Sequence, residues 1–149
     1  QRELSRKGIG AELAMPESPI LVPIDEVQIR QALFNLIRNA QQAMPDGGTI
    51  RVSVVHEPEG WITLAVEDEG GGIEPEIADR VFDPFVTTKQ TGTGLGLAVT
   101  RQIVESHSGR IRCEPRGGRG TRFVIELPVT EAASGATNAV AESPGNASQ

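Results

Sequence analysis

The hydrophobic positions of the chain recur with two periods, one typical of helices and one typical of strands. Behind Asp25, a candidate N-cap, apolar residues follow one another every three or four positions up to the PDGG of residues 45–48, which predicts a buried amphipathic helix. Its apolar face consists of Ile29, Leu33, Leu36, Ile37, Ala40 and Met44. A second long helix is predicted over residues 95–106 and a short one over residues 75–80, with a long loop through residues 82–93 between them.

In four segments the hydrophobic positions recur with the shorter period that is typical of strands. TIRVSVVHE and WITLAVED are joined by PEG and predict a hairpin, while GRIRCEP and GTRFVIELP flank RGGRG as a second pair. IGAELAM is a candidate first strand. Two helical segments packed on one face of a mostly antiparallel sheet make an α+β two-layer sandwich. We expect this domain to run from residue 9 to residue 129, and the polar, aperiodic residues 130–149 to be a disordered tail.

Composition narrows the class of protein. The chain has 149 residues, of which 38% are hydrophobic, and no apolar run approaches a membrane span. Its formal charge of −6 and its few aromatic residues argue against a nucleic-acid partner. A single cysteine, Cys113, excludes an internal disulfide and indicates a reducing, cytoplasmic setting. His56 and His107 have no partner at metal-ligand spacing.

Carboxamide side chains share one face of the first long helix. They step by three or four residues, at Gln28, Gln31, Asn35, Asn39 and Gln42. A carboxamide offers an acceptor oxygen and two donor hydrogens, so it can meet a hard cation with one atom and a phosphate oxygen with the other. The same stripe is equally compatible with an ordinary polar surface.

Two glycine-rich stretches are candidate ligand loops. EDEGGGI, residues 67–73, lies at the exit of a strand, and its Asp68 can accept from an exocyclic amine while its glycines admit a flat ligand. Taken alone, this motif favours a simple glycine turn with an incidental Asp. GTGLG, residues 92–96, matches neither the dinucleotide fingerprint nor the phosphate loop. It feeds a helix N-terminus, which favours phosphate, and Lys89 precedes it as a mobile cation. A bare flexible linker is the alternative there.

The order of these features resembles the ATP-binding catalytic domain of sensor histidine kinases, in the Bergerat-fold ATPase superfamily. NLIRNAQQAM is similar to the family's asparagine box, DEGGGI to its first glycine box, RVFDPFVTTK to its phenylalanine box, GTGLGL to its second glycine box and GGRGTRF to its last box. The match covers residues 25–128.

The resemblance implies a role for each box. Asn39 would bind Mg²⁺ with Asn35 beside the phosphates, and Asp68 would accept from the adenine amino group with Thr121 near the adenine. Phe82 and Phe85 would anchor a moving lid. The glycines of GTGLGL would wrap the triphosphate, and residues 92–97 would become ordered when ATP binds. The residues so implied at the nucleotide are Asn35, Asn39, Gln42, Asp68, Gly70, Gly72, Ile73, Phe85, Thr88, Lys89, Gly92, Thr93, Gly94, Leu95, Gly96, Leu97 and Thr121.

One departure from the family pattern concerns the phosphate-facing charge. Where many relatives carry a basic residue and an aromatic in the first helix, this chain has Gln42 and Ala43. NAQQAM with PFVTTK is similar instead to the nitrogen-regulation and oxygen-sensing branch. The resemblance therefore implies Lys89 as the catalytic contact to the γ-phosphate, together with Asn39, and Arg80 as a weaker candidate.

The implied reaction is transfer of the γ-phosphoryl group from Mg·ATP to a histidine. Neither His56 nor His107 stands in a helical acceptor box, so we expect the acceptor on a separate dimerisation domain, with residues 1–8 the end of the linker from it. We expect the fragment to be monomeric, its parent homodimeric and a response regulator the eventual phosphate acceptor. Two alternatives remain: an ATP-hydrolysing clamp, which Glu26 at the wrong end of the helix disfavours, and a regulatory or serine-directed, anti-sigma-like module.

Overall fold

The computed structural model describes residues 8–86, 94–116 and 119–130. Within them the elements are β1 (Ile9–Ala14), α1 (Glu26–Ala43), β2 (Gly48–Glu57), β3 (Trp61–Glu67), α2 (Pro75–Ala78), α3 (Gly96–Ser106), β4 (Arg110–Pro115) and β5 (Thr121–Pro128). Each predicted helix and strand is confirmed. The long loop predicted through residues 82–93 stays a prediction, because residues 87–93 lie outside the described part of the chain. The short helix α2 ends at Ala78 rather than at Arg80, and Met44 caps α1 rather than extending it, although its side chain is buried with the apolar face.

The five strands form one sheet in the order β1-β2-β3-β5-β4. Only the β1–β2 pair is parallel among the described strands; the other three pairs are antiparallel, as the alternating pattern predicts for most of the sheet. β3 and β5 lie in the middle, with Leu64 opposite Ile125 and Val66 opposite Phe123. The expected α+β sandwich with a mixed, mostly antiparallel sheet is therefore confirmed.

The core lies between the helices and one face of the sheet. Leu36 of α1 and Val104 of α3 are fully buried, and Phe82 meets Phe123 edge to face with ring centroids 6.0 Å apart. The opposite face of the sheet carries ion pairs, among them Arg112 with Glu126 at 3.1 Å. Because that face is charged, the helices cover one face alone, which makes two layers.

Helix α1 begins where the sequence predicts, because Asp25 caps it. The Oδ1 atom of Asp25 accepts from the backbone N–H of Gln28 at 3.1 Å, which satisfies one of the unpaired donors of the first turn. Along the helix, the buried residues Ile29, Ala32, Leu36 and Ala40 keep the spacing of one face.

The predicted domain limits fall partly outside the described residues. The linker at residues 1–8 and the tail at residues 130–149 stay predictions, since residues 1–7 and 131–149 are not described. No helix among the described residues is long and apolar enough to cross a membrane.

Candidate functional site

Helix α1 brings Asn35 to the start of α3. Asn35 is half-buried, and its Nδ2 atom donates to the carbonyl oxygen of Gly96 at 3.2 Å and to the Thr100 hydroxyl at 3.3 Å. Asn39 is half-buried one turn further along the helix, and Gln42 is exposed beyond it. Gln28 and Gln31, near the beginning of α1, are exposed as well. On the carboxamide face, the two asparagines are therefore half-buried and these glutamines are exposed.

Asp68 is fixed in the loop that follows β3. The residue is 1% exposed, and its Oδ1 atom accepts from the N–H of Gly70 at 2.9 Å. Its backbone N–H donates to the carbonyl of Thr121 at 3.0 Å, and its own carbonyl accepts from Nη1 of Arg116 at 3.1 Å. The bond from Gly70 helps to offset the desolvation of the buried carboxylate, while the other two bonds fix the backbone of Asp68. The structure thus brings together Asp68 and Thr121, both of which the resemblance places near the adenine.

Two glycines of this loop are also required by packing, because the neighbouring backbone lies close to them. A Cβ on Gly70 would lie 2.5 Å from the carbonyl oxygen of Ala43, the last residue of α1. Gly72 has a φ of 82° and faces the backbone of Gly120, so a Cβ there would lie 3.4 Å from its carbonyl oxygen. The loop is therefore held between the end of α1 and the β4–β5 connection, with Ile73 packed against the core.

Phe82 and Phe85 differ in position. Phe82 is buried against Phe123, whereas Phe85 is 76% exposed and has a φ of 68°, unusual for a residue with a side chain. The N–H of Phe85 donates to the carbonyl of Gly94 at 3.1 Å. A Cβ on Gly94 would lie 2.6 Å from the Phe85 backbone, so this close approach requires glycine. Arg80 lies exposed between α2 and this turn.

Helix α3 begins at the second glycine box. Leu95 is its N-cap residue and supplies no side-chain cap, so the first-turn N–H groups are not capped by that side chain. Gly96 is exposed, and Leu97 packs partly against the core. These N–H groups and the helix dipole form a place where an anion is favoured. Four predicted site residues, Thr88, Lys89, Gly92 and Thr93, lie outside the described residues.

The negative charge of Asp68 influences the thiol of Cys113 on β4. Burial raises the pKa of the Cys113 thiol to about 11, and the carboxylates of Asp68 and Glu114 add to the increase. Cys113 is therefore a neutral thiol at physiological pH. Among the described residues, no group of three or more His, Cys, Asp or Glu side chains could hold a metal ion.

Two contributors to this site were missed from the sequence. Thr100 stands within an apolar stretch of α3, where its four-residue step from Gly96 was the available signal. Arg116 reaches Asp68 across 48 residues of chain, and no local pattern indicates that contact.

The comparisons with known proteins agree with this architecture. Residues 24–131 match the family described as histidine kinase-, DNA gyrase B-, and HSP90-like ATPase. The chain belongs to that family. Sporulation kinase A of Bacillus subtilis (strain 168) is 38% identical over 128 residues, covering 86% of this chain and 21% of that protein. The signal transduction histidine-protein kinase AtoS of Escherichia coli (strain K12) is 38% identical over 119 residues, covering 80% and 19%.

Solved structures extend the likeness to the fold. The nucleotide-free catalytic domain of histidine kinase ThkA superposes with a TM-score of 0.79 at 32% identity, covering 87% of this chain and 85% of that one. Full-length ShkA in complex with AMPPNP gives 0.77 at 28% identity, covering 85% and 27%. The chain thus spans about a fifth of the two curated relatives and nearly the whole of an isolated catalytic domain. The resemblance to histidine kinase catalytic domains is confirmed, and the assignment to one branch stays a prediction.

Proposed function

We propose that this chain is the catalytic domain of a sensor histidine kinase, which binds Mg·ATP and transfers the γ-phosphoryl group to a histidine on a separate domain. The observation that carries the proposal is the arrangement of two half-sites along α1. The Asp68 loop packs on Ala43 at one point of the helix, and the start of α3 packs on Asn35 at another. The eight-residue step from Asn35 to Ala43 is about 12 Å at about 1.5 Å per residue, with Asn39 midway.

The Asp68 end suits an adenine. A buried carboxylate held by Gly70 presents an acceptor to an exocyclic amino group, with the hydroxyl-bearing Thr121 beside it. Guanine carries a carbonyl at the corresponding position, so the same carboxylate would oppose it. This end therefore favours ATP over GTP.

The Asn35 end suits phosphates and a divalent cation. The start of α3 is favourable for an anion because of its first-turn N–H groups and the helix dipole, and Asn39 supplies a neutral hard oxygen of the kind that Mg²⁺ binds along with phosphate oxygens and water. The cation would neutralise charge that develops on the transferring group, while the protein positions it. Lys89 is our candidate for the γ-phosphate contact, and its reach would depend on closure of the lid.

A separate domain has to supply the acceptor histidine. Both ring nitrogens of His107 are engaged, because Nε2 accepts from the Asp25 N–H at 3.0 Å and Nδ1 lies 2.7 Å from the Ile103 carbonyl. His56 lies on β2 close to the β2–β3 turn, opposite Ile62, and so stands on a strand and not on a helix. The described histidines are therefore poor acceptors, which supports transfer to another domain, in a parent that we expect to be a cytoplasmic-facing homodimer.

Calorimetric titration with AMPPNP, with and without Mg²⁺, tests the proposal. We expect Mg²⁺-dependent binding that Asp68→Asn weakens by roughly 10- to 100-fold, the loss of a charged hydrogen bond. Asp46→Asn makes the same chemical change at an exposed position and should bind like wild type. When the chain is then incubated with ATP and a separate helical domain that carries the acceptor histidine, that domain should become phosphorylated. Failure of the wild-type chain to bind AMPPNP would contradict the proposal.

A further inference from the structure

Thr100 has a buried hydroxyl on the apolar side of α3. The residue is 0% exposed, and the next turn of the helix brings the core residues Ile103 and Val104. A valine has nearly the same shape and would fill this position without a polar atom. The presence of a hydroxyl here therefore calls for an explanation other than packing.

The hydroxyl joins two parts of the candidate site. It donates to the carbonyl oxygen of Gly96 at 2.8 Å and accepts from Nδ2 of Asn35 at 3.3 Å. The same Nδ2 atom also donates to the Gly96 carbonyl at 3.2 Å. The three groups thus form a closed triangle between the asparagine helix α1 and the first residue of α3.

This triangle determines the orientation of the Asn35 carboxamide. A carbonyl oxygen accepts and never donates, so the atom that faces Gly96 has to be the nitrogen of the carboxamide and not its oxygen. The Thr100 hydroxyl gives its hydrogen to Gly96 and presents a lone pair to Asn35, which selects the same orientation a second time. The Oδ1 atom of Asn35 is consequently directed away from the Gly96 carbonyl.

We propose that Thr100 is a positioning residue for the phosphate end of the site. It acts through Asn35 and through the start of α3, because its hydroxyl holds both at a fixed distance before any ligand arrives. The inference rests on the proposed function, since it supposes that a nucleotide's phosphates lie there. It adds that a residue buried beneath the site, without touching the ligand, contributes to triphosphate affinity.

Two substitutions, Thr100→Val and Thr100→Ser, distinguish the effect of the hydroxyl group from the effect of the side-chain shape. Valine keeps the shape and removes both hydrogen bonds, whereas serine keeps the hydroxyl and removes a methyl group. The loss of a neutral hydrogen bond corresponds to roughly a 3- to 10-fold weaker Kd. We expect Thr100→Val to weaken Mg·AMPPNP binding by about that factor and adenosine binding by less than about twofold, with Thr100→Ser close to wild type for both.

Two controls distinguish positioning from general destabilisation. Thr63→Val removes a hydroxyl that donates to Glu57 at 3.1 Å on β3, away from the α1–α3 contact, and should leave both affinities unchanged. In an Asn35→Ala background, Thr100→Val should have a smaller effect on AMPPNP affinity than in wild type, because the part of its action that passes through that side chain has already been removed and only the bond to Gly96 is left. Thermal unfolding of every variant reports stability separately.

The possible results distinguish a failure of this inference from a failure of the proposed function. A selective loss of triphosphate affinity in Thr100→Val, restored in Thr100→Ser, supports the inference. If wild type binds Mg·AMPPNP and Thr100→Val binds it equally well, or loses AMPPNP and adenosine equally, the positioning role is wrong and the proposed function stands. If wild type binds neither ligand, the proposed function fails and the inference fails with it.

Discussion

Gly120→Ala should destabilise the domain through the backbone of Asp68. Gly120 has a φ of 106°, and a Cβ there would overlap the Asp68 carbonyl oxygen and lie 3.0 Å from its carbon. Neither atom belongs to a flexible side chain, so the end of β3 and the start of β5 would have to separate. That movement strains the hydrogen bond from the Asp68 N–H to the Thr121 carbonyl, which is 3.0 Å long.

The expected cost combines two effects. Holding alanine at a positive φ costs about 1–3 kcal/mol, and forcing extra volume into a packed contact costs about 1–3 kcal/mol. The sum of about 2–6 kcal/mol is a large part of the roughly 5–15 kcal/mol that stabilises a typical domain. Because the strain falls on Asp68, nucleotide affinity should fall as well in whatever fraction stays folded.

Urea unfolding followed by circular dichroism measures the cost. Gly71→Ala is the matched control, because that glycine lies in the neighbouring loop, its Cβ would meet nothing within 4 Å and its φ is not in the positive range. We expect this control to be neutral or to stabilise by up to about 1 kcal/mol. A Gly120→Ala protein within about 0.5 kcal/mol of wild type, with unchanged affinity, would refute the reasoning.

Two other perturbations have definite outcomes. Leu36→Ala should lower the free energy of unfolding by about 2–5 kcal/mol, since Leu36 is 0% exposed, whereas Leu21→Ala, at a residue that is 88% exposed, should stay within about 0.5 kcal/mol in the same urea titration. Alkylation of Cys113 by iodoacetamide should be slower in the native protein than in denaturant at pH 8–9, because burial raises the thiol pKa to about 11. Since that folded pKa lies above the unfolded one, the associated stability is fully present below pH 9 and is lost as the pH rises towards about 11. A native thiol that reacts as fast as the denatured one would contradict this.

Local patterns were enough to predict the elements of the fold. Helix α1 has eighteen residues, long enough for its apolar spacing to be distinctive, and Asp25 marks its start. The β2–β3 hairpin follows from two alternating runs around a short turn. The sheet order was not predictable in the same way, because the parallel pairing of β1 with β2 places Ile9 opposite Gly48 across the whole of α1.

For the candidate site, too, the local motifs could be predicted and the long-range contacts could not. The boxes were recognised in order because each is a short, local signature. What those residues touch could not be read from the sequence, since the contacts join distant segments: Asn35 meets Gly96 across 61 residues, and Arg116 meets Asp68 across 48. Gly70 illustrates the difference. The sequence suggested a glycine that admits a ligand, and the structure adds that the end of α1 leaves no room for a Cβ.

The contacts between α1 and α3 bear on how the site meets its ligand. Two hydrogen bonds join the helices. Asn35, in the middle of α1, donates to Gly96 at the start of α3. Asp25, the N-cap of α1, donates its N–H to Nε2 of His107 at 3.0 Å at the end of α3. The short contact from His107 Nδ1 to a carbonyl assigns the proton to Nδ1, which leaves Nε2 as the acceptor in a neutral ring. Two polar ties about three turns of helix apart oppose both sliding and rotation of one helix on the other. Asn35 and the start of α3 are therefore positioned by the protein itself, so a ligand that binds there spends little of its binding free energy on ordering them.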